Sequence, residues 1–101
     1  MFYFRFEARP KNGSPESAKV GGALINCWIQ RVTREEAESY ARGSIADEDW
    51  LITELEDAFV VTRETQAPEG MQYFEQAEVD QNVFVFHRWP VGAQDDGTSI
   101  V

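Results

Sequence analysis

Alternating apolar and polar residues predict the first two strands of the chain. Over residues 2–9, Phe2, Phe4 and Phe6 fall on one side of such a strand, and a period of two is that of a half-buried strand. Residues 10–22 are rich in proline, glycine, asparagine and serine, which predicts a loop. Residues 23–32 predict a second strand with Ile25 and Cys27 on one face.

Spacings of three and four predict two helices. The first begins at Thr33, because Thr33 and Glu36 have the spacing of a capping box. Its apolar stripe runs from Ala37 to Ile45. Residues 69–79 predict a short second helix with Met71 among its inward residues.

The strands of the second half leave two alternatives open. Residues 50–63 favour strand throughout, which is long against the usual five or six residues. They form either two strands joined by a turn at Glu56-Asp57, or one strand with a bulge there. Residues 82–88 predict the last strand, and it is apolar on both faces. The prediction is one domain over residues 1–93 with a flexible polar tail at residues 94–101.

With a turn at Glu56-Asp57, the chain from Ala23 onward has the order βαββαβ, which is the ferredoxin-like order. The predicted fold is therefore α+β, with an antiparallel or mixed sheet and an extra N-terminal strand at its edge. Two helices can cover only one face of such a sheet. We expect the other face to be open.

The predicted open face carries the candidate functional residues. Tyrosine and tryptophan beside arginine, asparagine and glutamine are typical of interfaces. The face admits a homodimer contact, the floor of a small-molecule pocket, or cover by another segment of the same chain. The ligand or interface candidates are Tyr3, Arg5, Asn26, Trp28, Gln30, His87 and Trp89.

His87 and Trp89 each have a functional and a structural interpretation. His87 is the only histidine, and a general base needs a partner that sets its tautomer. The nearby sequence supplies none, so a structural histidine is favoured. Trp89 precedes Pro90, which favours an extended backbone and packing at the end of the sheet over ligand stacking.

No residue pattern predicts catalysis, a metal site or a cofactor. Asp47-Glu48-Asp49 lacks the glycine and the final acid of a calcium loop. Cys27 is the only cysteine, so neither an intramolecular disulfide nor a cysteine-based metal site can form, and its apolar neighbours predict an inert core residue. Glycine-rich phosphate loops and serine elbows are also absent from the sequence.

Charge narrows the range of partners. The 101 residues carry a net charge of −9, which disfavours nucleic acid and anionic membrane surfaces. Most acids fall in residues 33–80, so we expect an acidic outer helical layer, either simply solvated or able to bind a basic protein. With no signal peptide pattern and no long apolar run, the expected location is cytoplasmic.

Three short segments carry a resemblance to known proteins. They are Glu35-Glu36-Ala37, Trp50-Leu51-Ile52 and the sequence FVFHRWP at residues 84–90. Together they resemble a group of small bacterial proteins of unknown function, over most of residues 23–90. The resemblance implies bacterial origin and an α+β sheet fold, without an established activity. The order of elements is also similar to that of the dimeric α+β barrel enzymes, which include cofactor-independent monooxygenases, and this likeness is one of fold alone.

We therefore predict a homodimeric, non-catalytic interaction or regulatory module. The alternative is a small ligand-binding domain, or a cofactor-independent enzyme with a pocket on the open face around Tyr3, Asn26, Trp28 and His87.

Overall fold

The computed structural model describes residues 1–92 as an α+β fold with one four-stranded antiparallel sheet and two α-helices. The tail predicted at residues 94–101 lies outside the described residues. The elements in chain order are β1 (Phe2–Pro10), β2 (Val20–Ile29), α1 (Arg34–Asp47), β3 (Trp50–Val60), α2 (Met71–Asp80) and β4 (Asn82–Pro90), with short 3-10 turns at Pro15–Ala18 and Pro68–Gly70.

The strand order across the sheet is β3-β1-β2-β4. The N-terminal strand β1 therefore lies in the interior of the sheet, and its predicted position at an edge is wrong. β1 forms antiparallel pairs with β2 over Phe2–Ala8 and with β3 over Phe2–Pro10.

β3 is one continuous strand over residues 50–60. Of the two predicted alternatives, the single strand with a bulge is therefore the one observed. Its register against β1 shifts between Arg5 and Phe6 and again between Glu7 and Ala8. Without a turn at Glu56-Asp57, the chain order is ββαβαβ, and the predicted ferredoxin-like order is not observed.

The two helices lie on opposite faces of the sheet. The buried residues of α1, such as Ala41 and Ile45, share one core cluster with Phe4 and Ile25. Those of α2, Phe74 and Ala77, share a second cluster with Trp28 and Val61. We call these two sides of the sheet the α1 face and the α2 face. The prediction that both helices cover one face is wrong.

The topology explains this difference. β2 and β3 are both antiparallel to β1 and hence parallel to each other, so α1 is the crossover between parallel strands. α2 instead joins β3 and β4, which are antiparallel edge strands. The handedness rule for parallel crossovers does not apply to this second connection. α2 is thus free to cover the apolar residues of the other face, which include Trp28, Val83 and Val85.

The first helix forms as its sequence predicts. The amide of Glu36 donates to Thr33 Oγ1 at 3.2 Å, which caps the helix. Ala37, Ala41 and Ile45 are buried, and the small alanines bring the backbone of α1 close to the sheet. Neither helix within residues 1–92 has the length and apolar character needed to cross a membrane.

Candidate functional site

A cleft of about 530 Å³ opens on the α2 face. It exists because α2 packs on β4 and β2 and leaves the β1 and β3 part of that face uncovered. Its lining comes from three sources. Aromatic side chains form one wall, polar side chains of the strands form the floor, and the loop over residues 61–70 forms the rim. These groups are Tyr3, Trp28, Phe59 and Tyr73; Arg5, Asn26, Asp57 and His87; and Val61, Thr65, Gln66, Ala67, Glu69 and Gly70.

Strand register places the aromatic and polar groups in neighbouring rows. Tyr3 pairs with Phe59 on one side and with Trp28 on the other. Two residues further along β1, Arg5 pairs with Asp57 and Asn26. Because side chains alternate between faces along a strand, these rows lie side by side on the same face.

The aromatic wall is a continuous chain of ring contacts. The Tyr3 ring meets Trp28 edge-on, with centroids 5.2 Å apart, and lies 4.8 Å from Phe59. On the other side of Trp28, the ring of Tyr73 lies 5.2 Å away. Trp28 itself is only 4% exposed, so its position is set by packing before any ligand binds.

The loop over residues 61–70 is held against this wall. Trp28 Nε1 donates to Gln66 Oε1 at 2.8 Å. A Cβ on Gly70 would lie 2.5 Å from the Gln66 side chain and 3.2 Å from the Trp28 ring, so a larger residue here would displace Gln66. These contacts give the cleft a defined rim.

Arg63 ties the same loop to α2. Its guanidinium donates to Glu75 Oε2 at 2.8 Å and also to Glu78. The hydrogen bond with Glu75, followed by the charge of Glu78, raises the pKa of Arg63. The loop and helix therefore form one side of the cleft together.

Arg5 lies in the floor and is already paired with two carboxylates. Its Nη2 lies 3.3 Å from Asp57 Oδ2, and its Nε lies 3.4 Å from Glu56 Oε1. Glu56 reaches Arg5 from the position of the first register shift in β3. The positive charge of Arg5 is thus largely balanced within the protein.

Asn26 contributes an unsatisfied hydrogen-bond acceptor. Its Oδ1 is buried and has no hydrogen-bond partner among the described residues. Leaving such a group unpaired costs about 1–3 kcal/mol. A bound molecule with a donor group would remove this cost.

Tyr3 presents a protonated phenol to the cleft. Burial raises its pKa, an effect only partly opposed by the charge of Arg5. The hydroxyl is therefore neutral at physiological pH and is able to donate or accept a hydrogen bond.

Five of the seven residues predicted for the site line this cleft: Tyr3, Arg5, Asn26, Trp28 and His87. His87 is exposed, and its side chain makes no hydrogen bond within residues 1–92. Gln30 lies outside the cleft, exposed just after β2, where its amide donates to the Gln81 carbonyl.

Trp89 is the second predicted residue outside the cleft. Its ring lies over Gly22, where a Cβ would come within 2.4 Å of Trp89 Cζ2. Its role is packing at the end of the sheet.

Sequence reasoning missed the parts of the cleft that lie outside the paired strands. Gln66, Glu69 and Tyr73 come from the loop and α2, and no local pattern places these residues over Trp28. Phe59 and Asp57 come from β3. Their alternation with Ala58 indicates that Phe59 and Asp57 share one face of the strand. Placing them beside Tyr3 and Arg5 also requires the register of β3 against β1.

A second depression of about 360 Å³ lies on the α1 face. It forms where α1 does not reach β4, between Tyr40 on the helix and Phe84 and Phe86 on the strand. It contains none of the predicted site residues. We regard it as the uncovered margin of the core, because its floor belongs to the same cluster as Phe4 and Phe6.

The acidic groups do not form the single layer that we expected. Those of α1 and α2 lie on opposite sides of the sheet, and several are paired. Glu38 contacts both Arg34 and Arg42, while Glu75 and Glu78 contact Arg63. Within residues 1–92, no group of three or more histidine, cysteine or acidic side chains is arranged to hold a metal ion.

Comparison with protein families, curated proteins and solved structures finds no match to this chain.

Proposed function

We propose that this chain is a non-catalytic small-molecule-binding domain and that the cleft on the α2 face is its binding site. The observation that carries the proposal is the cleft itself, whose volume of about 530 Å³ falls within the roughly 300–1,000 Å³ of ligand pockets. Its polar groups converge from β1, β2, β3 and β4 beside a wall of aromatic rings.

Binding fits this site better than catalysis does. The aromatic wall and the rim are held in place by contacts with each other. Asn26 Oδ1 has no hydrogen-bond donor within residues 1–92 and can accept one from a ligand. His87, the candidate general base, has no hydrogen-bond partner in the described part of the chain to orient its ring.

A fragment screen by protein-observed NMR tests this proposal. With a mixture of neutral, cationic and anionic fragments, we expect shift changes at the amides of Tyr3, Asn26 and His87 and at the Trp28 indole. Ala67 is exposed on the rim of the cleft, so Ala67→Trp should fill the space and abolish binding.

The matched control is Ala46→Trp, which adds the same ring at an exposed position of α1 and should leave binding unchanged. Shift changes confined to other surfaces, or binding that survives Ala67→Trp, would contradict the proposal.

The second candidate is a homodimeric interaction module, which a different observation favours. β3 is an edge strand of eleven residues, and its side chains Phe59 and Val60 are 49% and 61% exposed. Edge strands with exposed apolar residues readily pair with another strand. The β3 edge of a second copy is the partner that we propose.

Light scattering tests the dimer. We expect wild type to have twice the monomer mass and Val60→Glu to be monomeric, because the substitution charges the pairing edge. Val79→Glu, at a 76% exposed position of α2, should remain dimeric. A monomeric wild type would rule out this candidate.

A further inference from the structure

We propose that the cleft on the α2 face binds an organic cation, an ammonium or guanidinium group attached to a small apolar body. This inference rests on the proposed function, since it names the ligand class of the same cleft. Three independent features of the lining carry it: its charge balance, its aromatic faces and its unpaired acceptor.

The charge balance of the lining is negative. Asp57 and Glu69 contribute carboxylates, and Arg5 is the only lysine or arginine among residues 1–92 that lines the cleft. The Arg5 guanidinium already lies within ion-pair distance of Asp57 and of Glu56 next to it. Glu69 forms no ion pair within residues 1–92. An anionic ligand would therefore meet uncompensated negative charge, whereas a cation would neutralise it.

The aromatic wall favours the same sign of charge. Ring faces carry the negative part of the aromatic quadrupole, and they attract ammonium and guanidinium groups most strongly where water is excluded. Tyr3, Trp28 and Tyr73 are in contact with one another and are at least partly buried. The half-buried rings of Tyr3 and Tyr73 also offer contact area to the apolar body of the ligand.

The unpaired acceptor completes the match. Asn26 Oδ1 is buried without a hydrogen-bond partner, and an ammonium or guanidinium N–H is a charged donor that would satisfy it. A carboxylate has no proton to donate at neutral pH and would leave this oxygen unpaired. The net charge of −9 on the whole chain adds a long-range attraction for cations.

Three probes that differ mainly in charge test the inference by isothermal titration calorimetry: 2-phenylethylammonium, 2-phenylethanol and 3-phenylpropanoate. We expect the cation to bind about tenfold more tightly than the neutral alcohol and the anion to bind most weakly. In the double variant Asp57→Asn, Glu69→Gln, the preference for the cation should fall to less than about threefold.

A matched double variant controls for general attraction to an acidic protein. Glu35→Gln with Asp47→Asn removes the same charge from exposed positions on α1, at the opposite face of the sheet. It should keep the preference of about tenfold. If both double variants lost the preference for the cation equally, the preference would be a non-specific effect of net charge, and the inference would be overturned.

The remaining outcomes separate this inference from the proposed function. Equal affinity for the cation and the alcohol, or tighter binding of the anion, would overturn the cation preference while leaving a ligand-binding cleft. Failure of all three probes to bind would also overturn it. The charge-independent fragment screen with Ala67→Trp then decides separately whether the cleft binds small molecules.

Discussion

Gly22 and Gly43 both lack a side chain, yet an alanine would meet opposite surroundings at the two positions. A Cβ on Gly22 would lie 2.4 Å from Trp89 Cζ2 and 3.0 Å from the Ala8 carbonyl oxygen, whereas a Cβ on Gly43 would meet nothing within 4 Å. Gly43 lies in the interior of α1, where glycine is a poor helix former. The same substitution should therefore have opposite signs at these two positions.

We expect Gly43→Ala to stabilise the protein by about 1 kcal/mol and Gly22→Ala to destabilise it by about 1–3 kcal/mol. Urea denaturation followed by circular dichroism measures both changes. In a Trp89→Leu background, the penalty of Gly22→Ala should shrink, because the ring that causes the clash is gone. An unchanged penalty would show that Trp89 does not rest on Gly22.

At the scale of secondary-structure elements, local periodicity predicts what each segment becomes but not where it packs. Alternation predicts β1 and β2, and spacings of three and four predict α1 and α2, because these patterns depend on residues that are near in sequence. The edge position of β1 and the common face of the helices were wrong. Both depend on which strands pair, and pairing joins residues far apart in the chain.

One signal for the second helical face was present in the sequence. β4 is apolar on both sides, with Val83 and Val85 opposite Phe84 and Phe86, and strands apolar on both sides are typical of sheets covered on both faces. In the structure, Phe84 and Phe86 pack with the α1 cluster, and Val83 and Val85 pack with the α2 cluster. An uncovered sheet face was thus the less consistent interpretation of this strand.

Some residues of the cleft were predictable from the sequence and others were not, for the same reason. Its sheet residues, such as Tyr3 and Asn26, follow from alternation along β1 and β2, which assigns each side chain to a face. Its rim residues, such as Gln66 and Glu69, depend on how the loop crosses the Trp28 ring. That crossing is a tertiary contact that no local pattern encodes.

At the scale of the whole molecule, the sheet interior keeps Cys27 away from solvent. The thiol lies on β2, paired with Phe4 on one side and Phe84 on the other, and it is 0% exposed. The predicted inert core role is consistent with this position. Burial raises the pKa of Cys27 far above its ordinary value of 9.0, since the thiolate is disfavoured in an apolar surrounding.

This raised pKa predicts a loss of stability at alkaline pH. The folded state keeps the Cys27 proton, while the unfolded state releases it as the pH rises above about 9. The stabilisation of the folded state by the protonated thiol is therefore fully present below that pH and is lost progressively above it. From Cys27 alone, we expect the free energy of unfolding to be about 1.4 kcal/mol lower at about pH 10 than at about pH 8.

Urea denaturation across this pH range measures the effect, and Cys27→Ala is the control that removes the titrating group. The variant should be less stable at neutral pH, because it leaves a small cavity, but its stability should decline less between these pH values. The pKa of Tyr3 is also raised, from an ordinary value of 10.0. Its ionisation in the unfolded state therefore lowers stability at a higher pH than that of Cys27 does. The variant Tyr3→Phe removes this second contribution and leaves that of the thiol. An identical decline in wild type and Cys27→Ala would mean that the thiol ionises without global unfolding, and hence that β2 is accessible to solvent in the folded protein.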